Sequence, residues 1–162
     1  MRILALDAST SNVGWCVAED DAYRASGQYK PQGRGFDAVL DYDFWLDRTI
    51  RTYCADSVFY ERPSGAHGNN WTNTLLGALW YVTWCRTLLS ERLVVVSPAE
   101  VKATGYSKEL LKYPALCAER WWSLPGTREY PNPQTKAARA RFGDELDAIG
   151  CWLAGWRRMN EQ

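Results

Sequence analysis

The sequence predicts an α/β fold: a mixed sheet of five strands, three antiparallel and then two parallel, with helices on both faces. Three observations carry this. Residues 3–6, 57–61 and 93–96 are short apolar runs, rich in β-branched or aromatic residues, of the kind buried inside a sheet. Longer stretches between and after them place apolar residues at helical spacing. The order βββαβαβααα joins the first strands by short turns and the later ones by crossover helices.

Taken in order, residues 3–6 form the first strand, and Asp7 follows where that strand leaves the core. A carboxylate there faces the crevice at the strand end, the usual ligand position of open α/β sheets. An Asp that merely initiates a turn fits this position equally well. The small, polar residues 8–12 turn the chain into a second strand, 13–18, and residues 20–30 form a third, at the edge. Helical spacing of Phe36, Val39, Leu40, Phe44, Leu46 and Ile50 gives a helix over 36–53, and strand 57–61 ends in Glu61. A long helix is expected over 70–90, then strand 93–96. Ser97-Pro98-Ala99-Glu100 has the N-cap, first-position proline and capping-box glutamate of a short helix to 103. Ser107 caps a further helix through 122. Residues 123–141 read as a polar loop with three prolines, and the last helix runs from about Asp144 to Arg158.

With 162 residues the chain is long enough for one domain with its own core, here 1–162. The formal net charge is zero, so no global basic field announces a nucleic acid. Residues 1–100 hold 9 Lys and Arg against 12 Asp and Glu, and residues 101–162 hold 10 against 7, so any DNA surface is a local patch drawn from the C-terminal part. The five cysteines are scattered, form no Cys-x-x-Cys pair and fit reduced thiols in a cytoplasmic protein. Neither a signal peptide nor a run of membrane-spanning length is visible.

Asp7 and Glu61 end strands that lie side by side if adjacent and parallel. Asp144 and Asp147, three apart, project from one face of what reads as the first turn of the last helix. Small residues Ala148, Gly150 and Ala154 would let that helix pack closely on the sheet. Acids at a helix start also serve the helix dipole, which suffices for Asp144 and Glu145. Four gathered carboxylates repel unless cations neutralise them, and hard oxygen donors suit Mg²⁺ or Mn²⁺. Two such ions a few Å apart are the arrangement for phosphodiester cleavage.

Leu6-Asp7, Tyr60-Glu61 and Asp144-Glu145-Leu146-Asp147-Ala148 resemble the pattern of the RuvC-type Holliday junction resolvases, within the RNase H-like superfamily. Ser97-Pro98-Ala99-Glu100-Val101-Lys102, then Gly105 and Ser107-Lys108-Glu109, resemble that family's stretch of two basic residues near the scissile phosphate. Gly77 stands where the family has a small residue in its long helix. The resemblance covers about 1–18 and 56–155. It implies an RNase H-like fold and a homodimer that nicks four-way DNA junctions symmetrically with two Mg²⁺ or Mn²⁺ ions per site. It also implies metal ligands Asp7, Glu61, Asp144 and Asp147, DNA contact at Lys102, and a catalytic and DNA-binding role for Lys108. The long helix near 70–90 is the expected dimer surface. Where cellular members carry an aromatic residue after the strand-four Glu, this chain has Ser64, a departure that a phage-encoded member would fit. Lys136, Arg139 and Arg141 lead into the acidic helix and are candidates to guide a DNA strand. His67, the one histidine, is a candidate phosphate contact or general base. Tyr106, Trp71 and Trp80 are candidates to stack on bases, although Trp80 suits the core better.

Three other readings stay open. One is an RNase H-like nuclease for flaps or RNA–DNA hybrids. Another is an ATP-binding domain of the sugar-kinase or actin type, which needs two such domains and finds room for one. The last is a non-catalytic DNA-binding module of the same fold. No nucleotide cofactor and no membrane partner is expected.

Overall fold

A computed structural model describes residues 1–9, 11–63, 70–87 and 93–161. Its strands are β1 (Arg2–Ala8), β2 (Val13–Glu19), β3 (Ala22–Tyr29), β4 (Ser57–Glu61) and β5 (Leu93–Val96). They form one sheet in the order β3-β2-β1-β4-β5, antiparallel from β3 to β1 and parallel from β1 to β5. The expected mixed sheet is therefore present. The helices are α1 (Phe36–Tyr53), α2 (Asn70–Thr87), α3 (Pro98–Ala103), α4 (Pro114–Ser123) and α5 (Lys136–Asn160), with a 3-10 helix over Lys108–Lys112.

Alternation along the strands divides the core in two. Ile3, Ala5, Cys16 and Phe59 face α5, where they pack with Leu146, Ile149 and Trp152. Leu4, Leu6, Val17 and Tyr60 face α1 and α2, where they meet Tyr42, Leu46 and Leu79. Side chains of adjacent strand residues point to opposite faces, so a strand covered on both sides must be apolar at every position. Each fully buried Leu, Ile or Phe contributes about 1.5–3 kcal/mol of transfer free energy.

Helix α5 comes close to the sheet through missing side chains. A Cβ on Gly155 would stand 2.4 Å from the Phe59 ring, and one on Gly14 of β2 would stand 2.0 Å from the Asp144 carbonyl oxygen. Ala148 and Ala154 lie in the same core, as expected. Gly150 instead admits the carbonyl oxygen of Tyr106, 2.2 Å from its would-be Cβ. Among the described residues Gly77 serves no close approach, since a Cβ there meets none of them within 4 Å.

Several boundaries differ from expectation. Helix α5 starts at Lys136, two turns before Asp144, because the Thr135 hydroxyl accepts the Ala138 backbone N–H at 3.0 Å and caps it. Lys136, Arg139 and Arg141 are thus helical, and the connecting loop is shorter than 123–141. The expected helix from 107 to 122 is two pieces, because Pro114 has no N–H to continue the first and opens the second. Helix α2 is described to Thr87, so its expected end at 90 falls outside the described residues. The Ser97–Glu100 capping box forms as expected. Among the described residues, no helix is long and apolar enough to cross a membrane.

Candidate active site

Strand register sets the first two acids. Leu6 pairs with Tyr60 across parallel strands β1 and β4, so Asp7 and Glu61 come next on the two chains, on the face that carries Ala5 and Phe59. Asp7 is still inside its strand, paired with Gly14 of β2. The turn beyond it is held by Ser9, whose hydroxyl donates to the Asn12 carbonyl at 2.8 Å. Arg62 extends the ladder, its backbone N–H donating to Val96 at 2.8 Å.

Asp147 comes down from α5 onto the same ground. Asp7, Glu61 and Asp147 line one open cavity of about 300 Å³, with Arg62, Lys102 and Lys108 on its walls. Asp147 is buried at 5% exposure. Its Oδ1 accepts the Lys108 backbone N–H at 2.9 Å, and its Oδ2 lies 3.3 Å from Lys108 Nζ. Glu61 Oε2 is buried with no hydrogen-bond partner among the described residues. Asp144 and Asp147 sit in the interior of α5, so the helix dipole does not account for them.

The electrostatics follow from this crowding. Burial first, then Asp147 and Asp144, push the Asp7 carboxyl up to about 7, while Lys108 opposes them. Burial, Asp7 and Asp147 push Glu61 up to about 8, against Lys108 and Lys102. The charge of Asp147 in turn holds the Lys108 ammonium above its ordinary value.

Asp144 stands beside this group without lining the cavity. Its Oδ2 accepts a hydrogen bond from Gln28 Nε2 of β3, while burial raises its pKa. Neighbouring Glu145 accepts from Ser26 Oγ at 2.9 Å. Among the described residues, no three acids or other ligating side chains are gathered tightly enough to form a finished metal shell.

Of the other candidates, Lys136, Arg139 and Arg141 are exposed along the first turns of α5. Tyr106 is not available to bases: it is buried at 6% exposure, with its hydroxyl donating to the Arg120 carbonyl at 2.8 Å. Trp80 packs against Tyr60 with ring centroids 5.2 Å apart, as its core reading expected. Trp71 is exposed and meets Phe36 edge-on at 5.5 Å. His67 and Ser64 lie outside the described residues. Two neighbours of the acids were not foreseen. Arg62 adjoins Glu61 in sequence but reads there only as a strand stop, and Gln28 carries no local signal at all.

No family model matches the chain, and no curated protein matches its sequence. Solved structures do match. Thermus thermophilus RuvC in complex with a Holliday junction substrate superposes with a TM-score of 0.70 at 15% identity, covering 98% of this chain and 96% of that one. The yeast mitochondrial Holliday junction resolvase gives 0.56 at 15% identity, covering 99% and 79%. The fowlpox virus resolvase, solved with Holliday junction DNA, gives 0.53 at 10% identity, covering 98% and 99%. These sources are a bacterium, a mitochondrion and a poxvirus, and none supports a phage origin. Over nearly its whole length the chain has the RNase H-like fold in the form taken by RuvC and other Holliday junction resolvases.

Proposed function

We propose that the chain is a divalent-metal-dependent, structure-selective DNA endonuclease that resolves four-way junctions by symmetric nicking. The observation that carries this is one cavity in which three acids from β1, β4 and α5 face three cations. The donor set fits Mg²⁺ or Mn²⁺: all its ligands are hard oxygens, Glu61 Oε2 is buried with no hydrogen-bond partner among the described residues, and burial together with like charge pushes the Asp7 and Glu61 carboxyls up to about 7 and about 8. Asp7, Glu61, Asp147 and Asp144 would hold the ions. Bound there, a pair of ions supplies water activation and stabilisation of the leaving oxygen.

The remaining chemistry belongs to the chain's own cations. Lys108 neutralises Asp147 in the metal-free protein and is placed to meet a non-bridging phosphate oxygen when DNA enters, where charge builds in the transition state. Lys102 and Arg62 stand on the wall of the cavity and contact flanking phosphates. Lys136, Arg139 and Arg141 continue the cationic path along α5, away from the acids.

Symmetric nicking needs two sites, which a homodimer provides. Helix α2 presents Trp71, Tyr81 and Trp84 to solvent at 44–61% exposure, an apolar face that supports its choice as dimer surface. The test is a panel of four-way junction, flap, RNA–DNA hybrid and linear duplex of equal length, each incubated with Mg²⁺ or Mn²⁺. The proposal expects the junction to be cut and duplex left intact. Cutting of flaps or hybrids in preference would keep the chemistry and overturn the substrate.

A further inference from the structure

Resting on that reading of Asp144, we propose that Gln28 is its positioning residue: the edge-strand amide fixes which way the Asp144 carboxylate presents itself to a divalent ion. Three strands contribute to the arrangement. Asp7 pairs with Gly14 across β1 and β2, and Gly14 pairs with Gln28 across β2 and β3. Directly paired residues share a face of the sheet, so Asp7, Gly14 and Gln28 form one row turned toward α5. Gly14, the middle of the row, has no side chain, and the Asp144 backbone settles into that gap, with its carbonyl oxygen 2.0 Å from a would-be Cβ. Asp144 is therefore seated between Asp7 on one side and Gln28 on the other.

Two directions are then open to the Asp144 side chain. Toward Asp7 and Asp147 it meets like charge. Toward β3 it meets the Gln28 amide, and it takes that hydrogen bond through Oδ2. An amide suits this task better than a cation. It donates to one carboxylate oxygen without neutralising the charge, so Oδ1 keeps its full donor strength. Ligand carboxylates held in this way by outer hydrogen bonds typically lose about 10–100-fold in metal affinity when the partner is removed.

The row below supplies a control. Ala5, Cys16 and Ser26 are the next cross-strand set on this face, and Ser26 Oγ donates to Glu145 at 2.9 Å. Ser26 thus ties β3 to α5 one residue along the helix, at an acid that does not belong to the proposed ligand set.

The experiment is a calorimetric Mn²⁺ titration of the full chain without DNA, paired with unfolding midpoints of the metal-free protein. The variants are Gln28→Leu, Gln28→Glu, Ser26→Ala and Asp144→Asn. The proposal expects Gln28→Leu to weaken Mn²⁺ binding by about tenfold or more. Gln28→Glu should weaken it further, since it replaces the donor with a like charge. Ser26→Ala should bind Mn²⁺ as wild type does, whatever its unfolding midpoint. If Ser26→Ala and Gln28→Leu weaken binding alike, the contact only braces the helix and the proposal is overturned. If Asp144→Asn weakens binding and Gln28→Leu does not, the positioning role alone falls. If Asp144→Asn leaves binding unchanged, Asp144 is no ligand, and that part of the functional reading falls with it.

Discussion

The carbonyl oxygen of Asp144 lies 2.0 Å from where a Cβ of Gly14 would stand. This contact sets the height of α5 above the sheet at the level of Asp7, and so brings helix acids and strand acids to one end of the fold. Gly14→Ala forces the helix to lift or the strand to bend, because the clash is with backbone, which cannot rotate away. The expected cost is about 1–3 kcal/mol, the range for overpacking a close-packed core. Urea unfolding of the metal-free protein measures it, and a variant as stable as wild type would show that the helix is not seated there.

The acid cavity predicts an unusual pH dependence. Asp7 is pushed up to about 7 and Glu61 to about 8, above the ordinary carboxylate range near 4. The folded protein therefore keeps protons that the unfolded chain releases. The stability this gives is complete below about pH 4 and is lost as pH rises through about 7 to 8. The metal-free unfolding midpoint should fall between pH 5 and pH 8.5, and Asp7→Asn with Glu61→Gln should flatten that fall. Added Mg²⁺ should raise the midpoint far more at pH 8.5 than at pH 5. A midpoint independent of pH in wild type counts against the clustering of these acids.

Lys108 is expected to act on DNA and not on the metal. Its ammonium lies 3.3 Å from Asp147 Oδ2, where it competes with any cation for that oxygen. Lys108→Met should lower cleavage by about 100-fold, the scale of removing one transition-state charge partner. Divalent-ion affinity of the same variant should be equal to or tighter than that of wild type. Weaker metal binding would mean that the lysine organises the acids instead.

Glu100 caps its own helix α3 and ties it to α5. It accepts from the Ser97 backbone N–H and hydroxyl at 2.8 and 2.6 Å, and it pairs with Arg158 of α5. The hydrogen bonds from Ser97 hold its carboxyl down at about 2, with Arg158 adding to them. Glu100→Ala should cost about 1 kcal/mol in urea unfolding, a typical loss for a helix cap, with Mn²⁺ affinity unchanged.

How far the sequence reveals this molecule depends on the range of the interaction concerned. Asp7 and Glu61 are legible because each ends an apolar run whose alternation fixes its face, and Ser97–Glu100 because a capping box is local. Residues 136–141 misled because three nearby prolines outweighed Thr135, whose capping role shows only in its hydrogen bond to Ala138. The break at Pro114 was legible in principle, since a proline cannot continue a helix begun at Ser107. Gln28 and Gly14 could not be found locally. Their meaning lies in a cross-strand register that joins residues 7, 14, 28 and 144, and no spacing along the chain encodes it.

The most direct measurement of the central claim maps nicks at nucleotide resolution on a four-way junction with an immobile core, each strand labelled in turn, using wild type and Asp7→Asn with Mg²⁺ or Mn²⁺. The acid cavity and its fold predict paired nicks at symmetric positions on two opposing strands, dependent on the metal and absent in Asp7→Asn. Nicks that survive Asp7→Asn, or a junction bound but left uncut under every metal condition, would contradict a nuclease centred on these acids.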